Sequence, residues 1–84
     1  MMPPSRDELT RWLVTCVAGL VERPAAEIDP HAPLADHGLD SLYAFTLWGR
    51  IEDTYSIEMD PALLGELLTI SALADHVSAV CAAA

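Results

Sequence analysis

Residues 36–42 read Asp-His-Gly-Leu-Asp-Ser-Leu, and the rest of the chain is arranged around this segment. Gly38 can adopt the left-handed backbone conformation that turns a loop sharply. Asp40 is a good N-cap, because its carboxylate can accept hydrogen bonds from the free N–H groups of a first helical turn. The segment therefore predicts a helix that begins at Ser41, with the serine hydroxyl at the positive end of the helix dipole, where a phosphate is favoured.

The residues after Ser41 predict an amphipathic helix over 41–54. At about 100° per residue, one side of this helix is apolar and should face the core: it carries Ala44, Leu47, Trp48, Ile51 and Tyr55. The opposite side carries Leu42, Thr46, Gly49 and Asp53, with Phe45 flanking them. The apolar pair of Leu42 and Phe45 indicates a partner-docking patch or the lip of an acyl cleft. The alternative is that both side chains tuck under the preceding loop.

The whole chain is expected to form one all-α domain over residues 1–84. A disordered lead (1–4) precedes a first helix (5–22), for which Ser5 and Glu8 form a capping box. A long loop (23–40) contains three prolines and is pinned to the core by Ile28, Leu34 and Leu39. The helix 41–54, a short third helix (62–67) and a last helix (70–81) capped by Thr69 complete a small four-helix bundle of three main helices and one short one.

Composition excludes several classes of function. Thirteen acidic against four basic residues give a net charge of −9, which disfavours nucleic acid and anionic membrane surfaces as partners. The longest mostly apolar run, residues 13–21, is too short to span a membrane. Cys16 and Cys81 form neither a metal motif nor a disulfide framework, so a cytoplasmic setting is the simpler expectation.

Self-contained chemistry is disfavoured by the pattern of polar residues. A nucleophilic serine needs a positioned base, and only His37, on the loop four residues before Ser41, could swing near it. Acidic residues crowd the same loop, but their spacing fits neither a calcium nor a zinc site. His31, His37 and His76 are interpreted as solvated or packing residues, and no metal is expected.

The segment Leu34-Ala35-Asp36-His37-Gly38-Leu39-Asp40-Ser41-Leu42 resembles the attachment motif of acyl carrier proteins. The resemblance runs from about Leu9 to Val80 and includes the late pattern Thr69, Ile70 and Leu73. It implies that Ser41 receives 4′-phosphopantetheine from coenzyme A, in the local setting of Gly38, Asp40 and Leu42. A non-catalytic carrier is implied, which tethers acyl groups as thioesters.

The resemblance also implies partners. They are a phosphopantetheinyl transferase, an acyltransferase or ligase, and a ketosynthase or other acyl-processing enzymes of polyketide, secondary-metabolite or fatty-acid pathways. The docking surface is expected at Leu42, Tyr43, Phe45, Thr46, Gly49 and Arg50. Tyr43 stands where fatty-acid carriers commonly have an acid, which favours a dedicated partner with a more apolar contact. A free-standing monomer is expected.

Two alternatives stay open. A peptidyl carrier of a nonribosomal pathway shares the same architecture, although that class more often has Gly-Gly before the residue that precedes its serine. The other alternative is a helical interaction module that is never modified, in which Ser41 belongs only to the start of a helix.

Overall fold

Three α-helices and three short 3₁₀ turns make up the fold in the computed structural model, which describes residues 3–66 and 68–83 and, for residues 64 and 65, the backbone alone. The all-α class predicted from the sequence is confirmed. The α-helices are α1 (Arg6–Val21), α2 (Ser41–Tyr55) and α3 (Ile70–Ala83), and the 3₁₀ turns are Ala25–Glu27, Leu34–His37 and Pro61–Gly65.

The helix ends follow local capping signals. The Ser5 hydroxyl accepts a hydrogen bond from the Glu8 N–H at 3.1 Å, so α1 begins one residue later than the predicted bound. The Ser5 N–H does not donate to the Glu8 carboxylate, so one of the two hydrogen bonds of the predicted capping box forms among the described residues. Glu22 and Ser56 close α1 and α2 in the left-handed conformation, with φ of 56° and 54°, so α2 extends one residue beyond 54. The last helix also runs further than predicted, to Ala83.

The short third element differs from the prediction. A helix over 62–67 was expected, but the structure has a 3₁₀ turn at Pro61–Gly65, and Leu67 lies outside the described residues. Asp60 caps the turn by accepting a hydrogen bond from the Ala62 N–H at 2.9 Å. A segment of five residues is too short to gain from the α-helical hydrogen-bond pattern, and short pieces commonly adopt the tighter 3₁₀ form.

The core lies between the three helices, and α1 packs mainly against α3. Trp12 is half-buried against it, with its ring edge-to-face with Tyr55 at a centroid distance of 5.2 Å, so its packing role is confirmed. The largest side chains with no exposed surface are Leu9, Leu13, Val17, Leu47, Ile51, Ile70, Leu73 and Val77.

The long connection between α1 and α2 is fastened in two ways. Its predicted anchors Ile28, Leu34 and Leu39 are buried. Its backbone is also joined to α3 and to the segment just before it, because Ser71 N–H donates to Pro30 O at 2.9 Å and Leu34 N–H donates to Leu68 O at 2.8 Å. The loop is therefore held against the bundle from Ile28 to Leu39, which fixes the approach to α2.

Within the described part of the chain, no helix has the length and apolarity needed to cross a membrane.

Candidate functional site

Ser41 is the first residue of α2 and its side chain is exposed. Asp40 caps the helix as predicted, since its Oδ1 accepts a hydrogen bond from the Tyr43 N–H at 3.0 Å. Gly38 turns the chain into this cap with φ of 89°, in the left-handed region that favours glycine. No described hydrogen bond uses the Ser41 hydroxyl, so the oxygen is accessible at the positive end of the helix.

An apolar cleft of about 240 Å³ opens beside Ser41. The long connection forms one wall and the first half of α2 forms the other. Among the described residues that line it, Asp40 alone is ionisable. The lining residues are Pro33, Leu34, Ala35, Leu39, Asp40, Ser41, Ala44, Trp48 and Leu68. The cleft exceeds an apolar cavity of roughly 150 Å³ that is known to admit benzene, so it has room for a compact apolar group.

The outward face of α2 carries large apolar side chains next to Ser41. Leu42 is 73% exposed, Phe45 is 56% exposed and Tyr43 is 39% exposed. We call these three residues the apolar patch. The alternative in which Leu42 and Phe45 tuck under the loop is wrong. Thr46 is also exposed and Gly49 is partly exposed on the same helix, and the first turn of α2 contains no acidic residue.

Arg50 is exposed on α2, and Cys16 lies on the neighbouring α1 with its thiol buried. Burial raises the pKa of this thiol, and Arg50 opposes the rise. Cys16 is therefore a buried core residue, as predicted, and not a reactive thiolate.

His37 does not face the Ser41 hydroxyl. Its ring is buried, and Nε2 lies 3.1 Å from the carbonyl oxygen of Asp29 and 3.3 Å from the amide nitrogen of Asp29. The sequence left open that His37 could swing towards Ser41, and this is wrong because the ring is held elsewhere. His31 is exposed and His76 is half-buried, as the packing or solvated interpretation requires.

The acidic side chains of the loop do not converge. Asp29 Oδ1 accepts a hydrogen bond from the His31 N–H at 2.9 Å, which is a local turn contact. Among the described residues, no group of three His, Cys, Asp or Glu side chains has the arrangement to hold a metal ion.

The sequence suggested Leu42 and Phe45 as the lip of a cleft, but neither is among its described lining residues, and sequence reasoning missed the residues that do line it, Leu68 among them. Leu34, Leu39 and Trp48 were interpreted only as core residues, yet each also lines the cleft. Leu68 was given no role between the third helix predicted over 62–67 and the cap at Thr69, but it is 55% exposed and shares the cleft with Ser41. The cap at Thr69 was the available signal, because it places the preceding residue outside the last helix. Thr69 does cap α3, accepting from the Ala72 N–H at 3.0 Å.

With this geometry in view, comparison with known proteins identifies the family. Residues 11–77 match the family described as "Phosphopantetheine attachment site". The chain belongs to this family, whose domains carry covalently attached 4′-phosphopantetheine. The structure fits that group, since an exposed hydroxyl without a hydrogen bond lies at a helix N-terminus beside an open cleft.

Relatives in sequence are parts of large synthases. The chain is 37% identical over 67 residues to polyketide synthase PksM of Bacillus subtilis (strain 168), covering 80% of this chain and 2% of PksM. It is 34% identical over 76 residues to 6-methylsalicylic acid synthase of Penicillium expansum, covering 86% of this chain and 4% of the synthase. The chain thus spans only 2–4% of the length of these relatives.

Solved structures of carrier proteins share the fold. A free-standing peptidyl carrier protein from a secondary metabolic pathway of Acinetobacter baumannii matches with a TM-score of 0.84 and 31% identity, covering 89% of this chain and 94% of that one. BlmI, a type-II acyl carrier protein from Streptomyces verticillus involved in bleomycin biosynthesis, matches with a TM-score of 0.78 and 28% identity, covering 88% and 87%. Acyl and peptidyl carriers therefore both share this architecture.

Proposed function

We propose that this chain is a non-catalytic carrier whose 4′-phosphopantetheine arm is attached through the Ser41 Oγ. The observation that carries the proposal is the position of Ser41. It is exposed at the first position of α2, between the turn at Gly38 and the cap at Asp40, inside the segment that matches the family. When bound, the arm supplies a thiol on which acyl groups are held as thioesters.

Attachment requires little of the chain itself. The Ser41 oxygen forms a bond to the β-phosphorus of coenzyme A, the bridging P–O bond breaks, and adenosine 3′,5′-bisphosphate leaves. A base of the phosphopantetheinyl transferase takes the serine proton. The chain contributes an accessible hydroxyl and the partial positive charge of the α2 N-terminus, which favours the phosphate. The described residues offer Ser41 no histidine base, which supports a separate enzyme for this step.

The attachment test is an intact-mass measurement. The protein is incubated with coenzyme A, Mg²⁺ and a broad-specificity phosphopantetheinyl transferase. We expect a gain of one phosphopantetheine, which Ser41→Ala abolishes. Ser56→Gly is the matched control, because Ser56 is an exposed serine at the other end of α2 whose left-handed backbone suits glycine. An unchanged wild-type mass would favour the unmodified interaction module.

We also propose that partner enzymes dock on the apolar patch, with Thr46, Gly49 and Arg50 beside it. Exposed leucine and phenylalanine side chains next to an attachment point are typical of an interaction surface. The acids of α2, Glu52 and Asp53, lie near its far end, so contact beside Ser41 rests on apolar burial more than on charge. Truncation of a patch residue is therefore expected to slow loading without unfolding the bundle.

The pathway is proposed from the relatives. The synthase relatives support a polyketide or related secondary-metabolite pathway, with an acyltransferase or ligase and a ketosynthase as further partners. The free cysteines Cys16 and Cys81 support a reducing, cytoplasmic setting.

A peptidyl carrier is the second candidate, supported by the similarity to the Acinetobacter baumannii protein. The mass of the group released from the arm of protein isolated from its native cell distinguishes the two. An amino-acid mass supports the peptidyl carrier, and a carboxylic acid without an amine supports the acyl carrier.

A further inference from the structure

His37 is the one buried side chain among the described residues that is polar or charged, with 7% of its surface exposed. It ends the second 3₁₀ turn, directly before Gly38 and four residues before Ser41. Burying an imidazole is unfavourable unless the ring is hydrogen-bonded. The contacts of Nε2 with the backbone of Asp29, at 3.1 Å and 3.3 Å, meet that need. An apolar side chain would fill the same space but could not form this contact.

The contact between His37 and Asp29 closes the segment 29–37 into a ring. The two residues are eight positions apart, and the ring is also joined to the first turn of α3 and to the residue two positions before that helix. Both connections are hydrogen bonds, from Ser71 N–H to Pro30 O and from Leu34 N–H to Leu68 O. The segment is thus fixed at its base by a side chain and along its length by backbone bonds.

This ring is structurally tied to Ser41 in two ways. Residues 33–35, within the ring, form one wall of the cleft that Ser41 also lines. The chain leaves the ring at His37, turns at Gly38 and reaches Ser41 through the Asp40 cap. A ring that opens at its base would free both the wall and the segment that leads into the first turn of α2.

We propose that His37 is a positioning residue for modification of Ser41. By tying the loop to Asp29, it holds the start of α2 in the geometry in which the Ser41 hydroxyl is presented to the transferase. The inference rests on the proposed attachment at Ser41. It concerns the orientation of the hydroxyl and not the docking surface, because the body of α2 is held independently by buried Leu47 and Ile51.

This separation predicts a specific kinetic signature. Loss of the contact between His37 and Asp29 should lower kcat for phosphopantetheinylation, since a small misplacement of a reacting group can lower its rate by up to about a hundredfold. The KM for the carrier should be nearly unchanged, because Phe45 and the body of α2, which Leu47 and Ile51 hold in the core, stay in place. We expect His37→Leu to lower kcat by roughly tenfold and to change KM by less than about twofold. His37→Gln should retain most of the activity, because its amide offers both a donor and an acceptor to Asp29.

The control separates positioning from general stability. Ile70→Val removes one methylene from a fully buried residue of α3, which costs about 0.5–1.5 kcal/mol. We expect this variant to keep the wild-type kcat. Amide hydrogen exchange gives a second readout. His37→Leu should speed exchange at residues 38–43 and leave Leu47 protected, whereas Ile70→Val should not single out residues 38–43.

Each outcome decides the matter. An unmodified wild type would overturn the proposed function itself. A modified wild type with an unimpaired His37→Leu, or a kcat loss that Ile70→Val reproduces at the same melting temperature, would overturn this inference alone. If His37→Leu does not fold, His37→Asn decides, because its shorter side chain does not extend to the position of Nε2: faster exchange at residues 38–43 with a lower kcat supports positioning, and wild-type values of both overturn it.

Discussion

Leu42 and Leu47 are leucines on the same helix with opposite environments, and truncating each tests whether folding and docking are separable. Leu47 has no exposed surface, whereas Leu42 is 73% exposed in the apolar patch beside Ser41. The chemical change, leucine to alanine, is identical. Only the surroundings differ, so any difference in outcome reports on the position and not on the substitution.

The expected magnitudes differ strongly. Leu47→Ala leaves a cavity in a packed core and should cost about 2–5 kcal/mol. A domain of this size has a total unfolding free energy of about 4–13 kcal/mol, so a large share is lost. The melting temperature should fall by at least roughly 8 °C. Leu42→Ala removes a mostly solvated side chain and should change stability by about 0.5 kcal/mol or less.

Loading should respond in the opposite order. Leu42 adjoins the serine that the transferase must reach, so its truncation should lower kcat/KM for phosphopantetheinylation by roughly fivefold or more, as at an interface anchor. Leu47→Ala, assayed well below its melting temperature, should load at nearly the wild-type rate. Thermal unfolding followed by circular dichroism and loading followed by intact mass provide the two readouts. Equal destabilisation by the two substitutions, or unimpaired loading of Leu42→Ala, would refute the reasoning.

Two further predictions concern the backbone turn and the buried thiol. Gly38→Ala should cost about 1–2 kcal/mol in urea unfolding, because φ is 89° while a Cβ there meets no neighbouring atom; an unchanged midpoint would contradict a left-handed turn. Burial raises the pKa of Cys16 in the folded state, so the folded protein binds this proton more tightly than the unfolded chain. Stability should be full below the thiol's unfolded pKa of about 8.5 and decline as pH rises above it. Cys16→Ala should flatten that decline, and an equal slope in both proteins would argue against it.

The features that could be predicted from sequence are those with local causes. A cap is decided within three residues, so Ser5, Asp40 and Thr69 were each identified correctly as caps, and each accepts the expected backbone hydrogen bond. The core face of α2 follows from helical periodicity and was also correct. These signals depend on neighbours in sequence and require no knowledge of how the chain folds back.

The features that could not be predicted depend on contacts between residues that are separated by more than one helical turn in the sequence. The ring closed by His37 and Asp29 and the bond from Leu34 to Leu68 join segments whose approach has no signature in spacing. The cleft beside Ser41 arises from the same folding back, which is why Leu34, Leu39 and Trp48 were assigned to the core alone. The third helix was predicted over 62–67 in place of a 3₁₀ turn, since the five residues from Pro61 to Gly65 fit a 3₁₀ turn as well as a helical one.

With attachment at Ser41 as proposed, we expect the partner selectivity of this carrier to depend on the surface near Ser41 and not on the bundle. Acyl and peptidyl carriers share the fold, and function is determined by sites placed on a fold. Four large apolar side chains are exposed within the described residues. They are Leu42, Tyr43, Phe45 and Leu68. The first three follow Ser41 on α2, and Leu68 lines the same cleft. A partner that covers Ser41 must therefore meet apolar surface on both sides of it, and changes confined to these side chains should alter partner choice while the helices remain as they are.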